Sequence, residues 1–244
     1  MPLLSRYSQA DYSQEQYDID KRIVKHSLFI SGSLVVLLWL IKLFESEYGL
    51  DFSKWGIFPL VLKGLRGIIF SPLIHTSFEH LAANTIPLFV LTFSLFFFYR
   101  KSAYAIFVLI YLLSGCFVWL FGREALHIGA SGIIYGLAAF LFLKGILSYN
   151  VRLLTISLIV ALIYGYMFWG IFPVKPEISW ESHLWGGISG FGLALLYHKS
   201  ITPEPTAGED NDENEDNDSE NIEEEDTEPP PAKETNENSG TALL

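Results

Sequence analysis

The sequence predicts an all-α polytopic membrane protein: six transmembrane helices in a bundle, a first loop partly in the membrane interface, and a disordered acidic C-terminal tail. Three observations predict it. Half of the 244 residues are apolar and 15% are aromatic, a composition that suits lipid better than cytosol. Apolar runs of roughly 17 to 25 residues recur along the chain, each long enough to cross ~30 Å of hydrocarbon as a helix. Charge is segregated: residues 201–244 hold sixteen acidic side chains and one lysine, so the formal net charge of -11 leaves residues 1–200 at about +4. Nothing in that balance suggests nucleic acid, and the acidic tail would be repelled by anionic lipid. It is the apolar runs that make the lipid bilayer the partner. The single cysteine, Cys116, lies in an apolar run and has no intrachain partner.

Residues 1–26 are polar, with Lys21, Arg22 and Lys25 just before the first span, and read as a short cytoplasmic arm. The first span covers 27–44 and closes at Glu45 and Glu47; being long and without a small-residue cleavage site, it is not a cleavable signal peptide. Residues 46–71 are too apolar for free solution and too broken by Gly, Pro and charge to span, which places them partly in the interface. Thr76-Ser77-Phe78-Glu79 has the capping-box pattern, with Thr76 as the cap and Glu79 reaching back. It opens a second span that runs to Phe98 and stops at Arg100-Lys101. The remaining spans cover 102–121, 130–147, 151–169 and 183–197, so the membrane domain is 27–199. From residue 200 to 244 the chain cannot bury enough apolar surface to fold, and reads either as a solvated spacer or as a docking segment for a basic partner.

Lys and Arg in the flanks set the orientation. With the N-terminus inside, Arg6, Lys21, Arg22, Lys25, Arg100, Lys101, Lys144, Arg152 and Lys199 face the cytoplasm, against Lys54, Lys63, Arg66, Arg123 and Lys175 outside. Both termini are then cytoplasmic, and His80, Ser131 and His183 all begin helices at the outer face.

Those three residues carry the chemistry. Ser131 sits in Gly129-Ala130-Ser131-Gly132, where small neighbours leave room for a backbone or substrate to approach a helix start. Gly132 and Gly136 also form the small-residue spacing by which membrane helices pack, as do Gly186 and Gly190 after His183. Close approach of these two faces would bring His183 to Ser131, and a neutral imidazole is the usual base for a serine nucleophile. His80 and Asn84, four residues apart, share a helical face. They can hold the bundle by interhelical hydrogen bonds, or donate with the Ser131 amide to an oxyanion. Tyr135 lies one turn after Ser131, positioned to pack on His183 or simply to fill the bundle.

Taken together these residues resemble the rhomboid family of intramembrane serine proteases, in its basic six-helix bacterial form. His75, His80 and Asn84 match the family's histidine followed five residues later by His-x-x-x-Asn. Gly129, Ser131, Gly132 and Tyr135 match its Gly-x-Ser-Gly-x-x-Tyr, and His183, Gly186 and Gly190 its last-helix pattern. The resemblance covers about residues 65–197 and implies a Ser131 nucleophile with His183 as base, and His80, Asn84 and the Ser131 amide as oxyanion donors. Gly129, Tyr135 and His75 would support them. It implies no metal or cofactor and transmembrane protein substrates cleaved near their outer ends; the simple six-span layout suggests a bacterial plasma membrane, with an organelle membrane as the alternative. One departure is visible: the family's tryptophan-arginine pair in the first loop stands here as Leu65-Arg66.

Three rivals remain. An inactive rhomboid-like client-binding protein usually lacks the serine or the histidine. A metal-dependent peptidase using His75, His80, His127 or His183 finds no His-Glu-x-x-His, and five residues is a poor helical spacing for a shared metal. A small transporter also lines its path with polar helix starts.

Overall fold

The structure, a computed structural model, describes residues 3–163, 172 and 179–200. The end of the expected fifth span, Lys175 and the acidic tail from residue 201 lie outside the described residues. Those described are helical, joined by short turns, with an isolated antiparallel bridge between Ile57 and His127.

Helix α1 spans Leu3–Glu47, so the polar arm is helical from Leu3 and continuous with the first span. No proline interrupts residues 3–47. The helix ends where Gly49 adopts φ +59°, letting Leu50 N–H reach the Glu45 carbonyl at 2.9 Å and Gly49 N–H the Ser46 carbonyl at 3.4 Å. This left-handed glycine cap satisfies carbonyls that the helix end would otherwise orphan. α1 packs chiefly on α3 (Phe78–Phe98). Buried Ser27 and Ser31 allow that approach, and Trp39 Nε1 donates to Thr85 Oγ1 at 3.0 Å.

Between them the first loop folds into 3-10 turns and the short helix α2 (Gly67–Phe70). Leu60 N–H donates to the Trp119 carbonyl and Trp119 Nε1 to the Val61 carbonyl, both at 3.0 Å, which fastens the loop to α4 (Ala103–Phe121).

Helix α5 (Ser131–Leu147) is central, packing on α3, α4, α6 (Val151–Ile163) and α7 (Trp180–Leu196), most extensively on α7. Its Ile133, Leu137, Phe140 and Leu141 are buried with Leu81, Leu88, Leu91 and Leu95 of α3 and Ile106 and Ile110 of α4. Large apolar side chains also point outward, among them Phe29, Ile86, Val108 and Leu196, as lipid-facing surfaces require. Tyr17–Glu47, Phe78–Phe98 and Ala103–Phe121 are long and apolar enough to cross a membrane, while Ser131–Leu147 is apolar but shorter.

Two expected boundaries are corrected. The cap of α3 is Ser77, whose hydroxyl accepts from His80 N–H at 3.1 Å, not Thr76. α7 starts at Trp180, three residues before His183: Ser182 N–H already turns back to the Ser179 carbonyl at 3.1 Å, and Glu181 is buried within that first turn.

Candidate active site

Three helix starts meet at one place. Ser131 is the first residue of α5, where backbone amides have no intrahelical acceptor. Before it, Gly129 adopts φ +112°, a conformation L side chains rarely take, and donates to the Ser71 carbonyl at 2.8 Å. A methyl group on Gly129 would lie 2.8 Å from Cε1 and 3.1 Å from Nε2 of His80, and 3.9 Å from Nδ2 of Asn84. Both expected oxyanion donors therefore turn toward the backbone that delivers Ser131. Asn84 is 6% exposed and its Nδ2 has no hydrogen-bond partner. A buried amide donor without an acceptor costs roughly 1–3 kcal/mol, and an arriving oxygen would recover it.

α7 approaches α5 through glycine. A methyl group on Gly186 would stand 2.1 Å from the Gly132 carbonyl oxygen, and one on Gly190 only 1.8 Å from that of Gly136. With no side chain between them, the N-terminal ends of the two helices lie against each other. Ser131 and His183 are buried there at 7% and 9% exposure. The Tyr135 ring stacks on the His183 ring at 4.3 Å between centroids and 5° between planes, which orients the imidazole. A cavity of about 20 Å³ beside Gly129 and Gly132, lined also by Ser71, Ser114 and Ser182, has room for about one water.

His75 braces this arrangement. Its Nε2 accepts the Ala130 N–H at 3.4 Å, and its ring meets the His80 ring edge-on at 5.1 Å. Burial, with the charges of His80 and Lys42 nearby, pushes its pKa from the ordinary 6.5 down to about 3, so the ring is neutral and its Nε2 lone pair is free to accept.

Sequence reasoning missed a polar cluster behind the site. Glu181, 1% exposed, pairs with Arg123 Nε at 3.3 Å. His127 donates from Nε2 to the Arg123 carbonyl at 3.1 Å, and its Nδ1 accepts from the Ser179 hydroxyl at 2.6 Å. Ser179 in turn meets Ser182 Oγ at 2.6 Å. Burial lowers the His127 pKa, opposed by that carbonyl bond and by the Glu181 charge. The cluster ties the loop before Ser131 to the helix start before His183; the Ile57–His127 bridge adds the first loop. The one signal in the sequence was an acid two residues before His183. Arg66, expected to have lost its aromatic partner, keeps one: its guanidinium lies 4.6 Å over the Trp55 ring, and its Nη2 donates to the Lys54 carbonyl at 2.9 Å. Among the described residues no group of three His, Cys, Asp or Glu side chains could hold a metal ion.

The family model for the rhomboid domain matches this chain over residues 63–200, from the first loop through α7. The chain belongs to the rhomboid family. This rhomboid protein is 37% identical over 177 residues to an uncharacterized protein of Mycobacterium tuberculosis, covering 67% of this chain and 72% of that one. A second uncharacterized protein, from Mycobacterium leprae, is 32% identical over 176 residues, covering 67% and 68%. The rhomboid family consists generally of serine intramembrane proteases and includes inactive members, so membership establishes a membrane protein of this family.

Proposed function

We propose that the chain is an intramembrane serine endopeptidase acting on transmembrane segments of other proteins. The observation that supports this reading is that His80 and Asn84 face the Gly129 backbone just before Ser131, while glycines lay the start of α5 against the start of α7, which carries His183. Ser131 Oγ attacks the scissile carbonyl while His183 takes its proton. The oxyanion that forms accepts hydrogen bonds from His80, Asn84 and the Ser131 amide; the unpartnered Asn84 Nδ2 and the His80 edge facing Gly129 support that role. His183 then protonates the leaving amine, and water, activated by the same imidazole, hydrolyses the acyl-enzyme. A peptide bond within an intact helix is hydrogen-bonded and shielded, so the preferred substrate is a segment that frays near its outer end.

In the same reading the domain at 27–199 has six spans, both termini are cytoplasmic, the site opens near the outer face of a bacterial plasma membrane, and the tail is a solvated appendage. Labelling of detergent-solubilised protein with a fluorescent fluorophosphonate tests the chemistry. Wild type should label, and Ser131→Ala and His183→Ala should not. Folded wild-type protein that fails to label, and fails to cut a transmembrane reporter in proteoliposomes, would overturn the reading in favour of client binding. Asn84→Ala should slow cleavage by about 2.7–4 kcal/mol in the barrier, the usual cost of one oxyanion donor.

A further inference from the structure

We propose that Thr76 is a positioning residue that sets the tautomer of His80, so that His80 presents a protonated Nε2 toward Gly129. The inference rests on the oxyanion role given to His80 above.

Thr76 Oγ1 lies 3.2 Å from Nδ1 of His80. The opposite edge of the ring, Cε1 and Nε2, faces the Gly129 backbone. A neutral imidazole has one N–H and one lone pair, and the hydrogen bond made by one nitrogen decides the state of the other. If the Thr76 hydroxyl donates into Nδ1, Nε2 must carry the proton and can donate to an oxygen above Gly129. If Nδ1–H donated to Thr76 instead, a lone pair would face that oxygen and repel it as negative charge developed.

The neighbouring histidine supplies a contrast. Ala130 N–H donates to Nε2 of His75, so His75 carries its proton on Nδ1. Two rings 5.1 Å apart thus need opposite tautomers, each chosen by a different donor. Thr76 is available because Ser77, not Thr76, caps α3. It is also held in place. Lys42 Nζ donates to the carbonyls of His75 at 3.0 Å and Thr76 at 3.2 Å, and pairs with Glu45 at 2.8 Å. Glu45 in turn accepts Phe52 N–H at 2.9 Å, so the first loop and α1 together fix the backbone that carries the hydroxyl.

Long-range proton–nitrogen NMR of ¹⁵N-histidine-labelled protein in micelles reads the tautomer directly, with His80 assigned by its loss in His80→Asn. Wild type and Thr76→Ser should show the Nε2–H form, whereas Thr76→Val and Thr76→Ala should populate Nδ1–H. In parallel, kcat on a transmembrane reporter should fall about three- to tenfold in Thr76→Val, the worth of one hydrogen bond. KM should hold, and Thr76→Ser should restore kcat. An Nδ1–H ring in wild type, or a tautomer unmoved in Thr76→Val and Thr76→Ala, overturns the proposal. A wild-type protein that neither cuts nor labels removes the protease reading alone, because the NMR result still decides what Thr76 does.

Discussion

Two helix pairs hold this bundle together with opposite materials. Between α5 and α7 there is almost nothing: glycine faces carbonyl, and methyl groups on Gly186 and Gly190 would collide with backbone oxygens. Between α1 and α3 and the turn before α3, side chains reach across, Trp39 to Thr85 and Lys42 to two carbonyls. The first seam fixes distance, because no soft atom can give. The second fixes orientation, because each hydrogen bond aims one group. In the proposed site both are needed, a fixed distance for Ser131 and His183 and an aimed ring for His80.

The contrast can be broken at its hardest point first. Gly190→Val should separate α5 from α7 and abolish fluorophosphonate labelling, since even a methyl group would lie 1.8 Å from the Gly136 oxygen and overpacking against backbone has no rotamer to relieve it. Retained labelling would show that the seam is not what brings the two residues together. Next, Arg123→Met leaves the Glu181 carboxylate buried without its counter-charge. Thermal unfolding in micelles should reveal a loss of about 3 kcal/mol, the low end for breaking a buried pair because the guanidinium is partly exposed.

Acid sharpens the comparison on the α3 side. His75 takes up a proton near 6.5 when unfolded but only near 3 when folded, so its contribution is complete above about pH 6.5 and is lost as pH falls toward 3. In His75→Gln the acid limb of a stability-versus-pH curve should flatten; an unchanged limb would assign it to other groups. Trp39→Phe removes one side-chain hydrogen bond and should cost about 1 kcal/mol in the same melts. Smallest of all, Gly187→Ala meets nothing within 4 Å and should leave labelling intact while stabilising α7 slightly. A large effect there would mean that glycine content, and not the seam, governs α7.

Much of this was legible from the chain. The C-terminal ends of α3, α4 and α5 fall at Phe98, Phe121 and Leu147 as the apolar runs predict, because apolar runs end where charge, glycine or a polar stretch such as Ser148-Tyr149-Asn150 begins. Spacing put Tyr135 one turn after Ser131 and left two readings open, packing on His183 or filling the bundle; the ring stacks on His183. What escaped were pairings between residues far apart in sequence. Arg123 with Glu181, and Trp55 with Arg66, leave no periodic mark. The cap was misplaced for a different reason: Thr76 satisfies the local pattern better, but Lys42 holds its carbonyl outside the helix and leaves the role to Ser77. A tertiary contact outweighed a local preference.

The glycine seam also makes the alignment of α5 and α7 discrete. Sliding one helix along the other by four residues, about 6 Å, sets Phe140 against Gly190 or Ala194 against Gly136, so no neighbouring alignment repeats the seam. Proton transfer between two side chains requires roughly 3 Å. Small strains from lipid thickness or an incoming segment can therefore tilt or part the pair, but they cannot detune it by degrees. Ser131 and His183 are either in register or out of it.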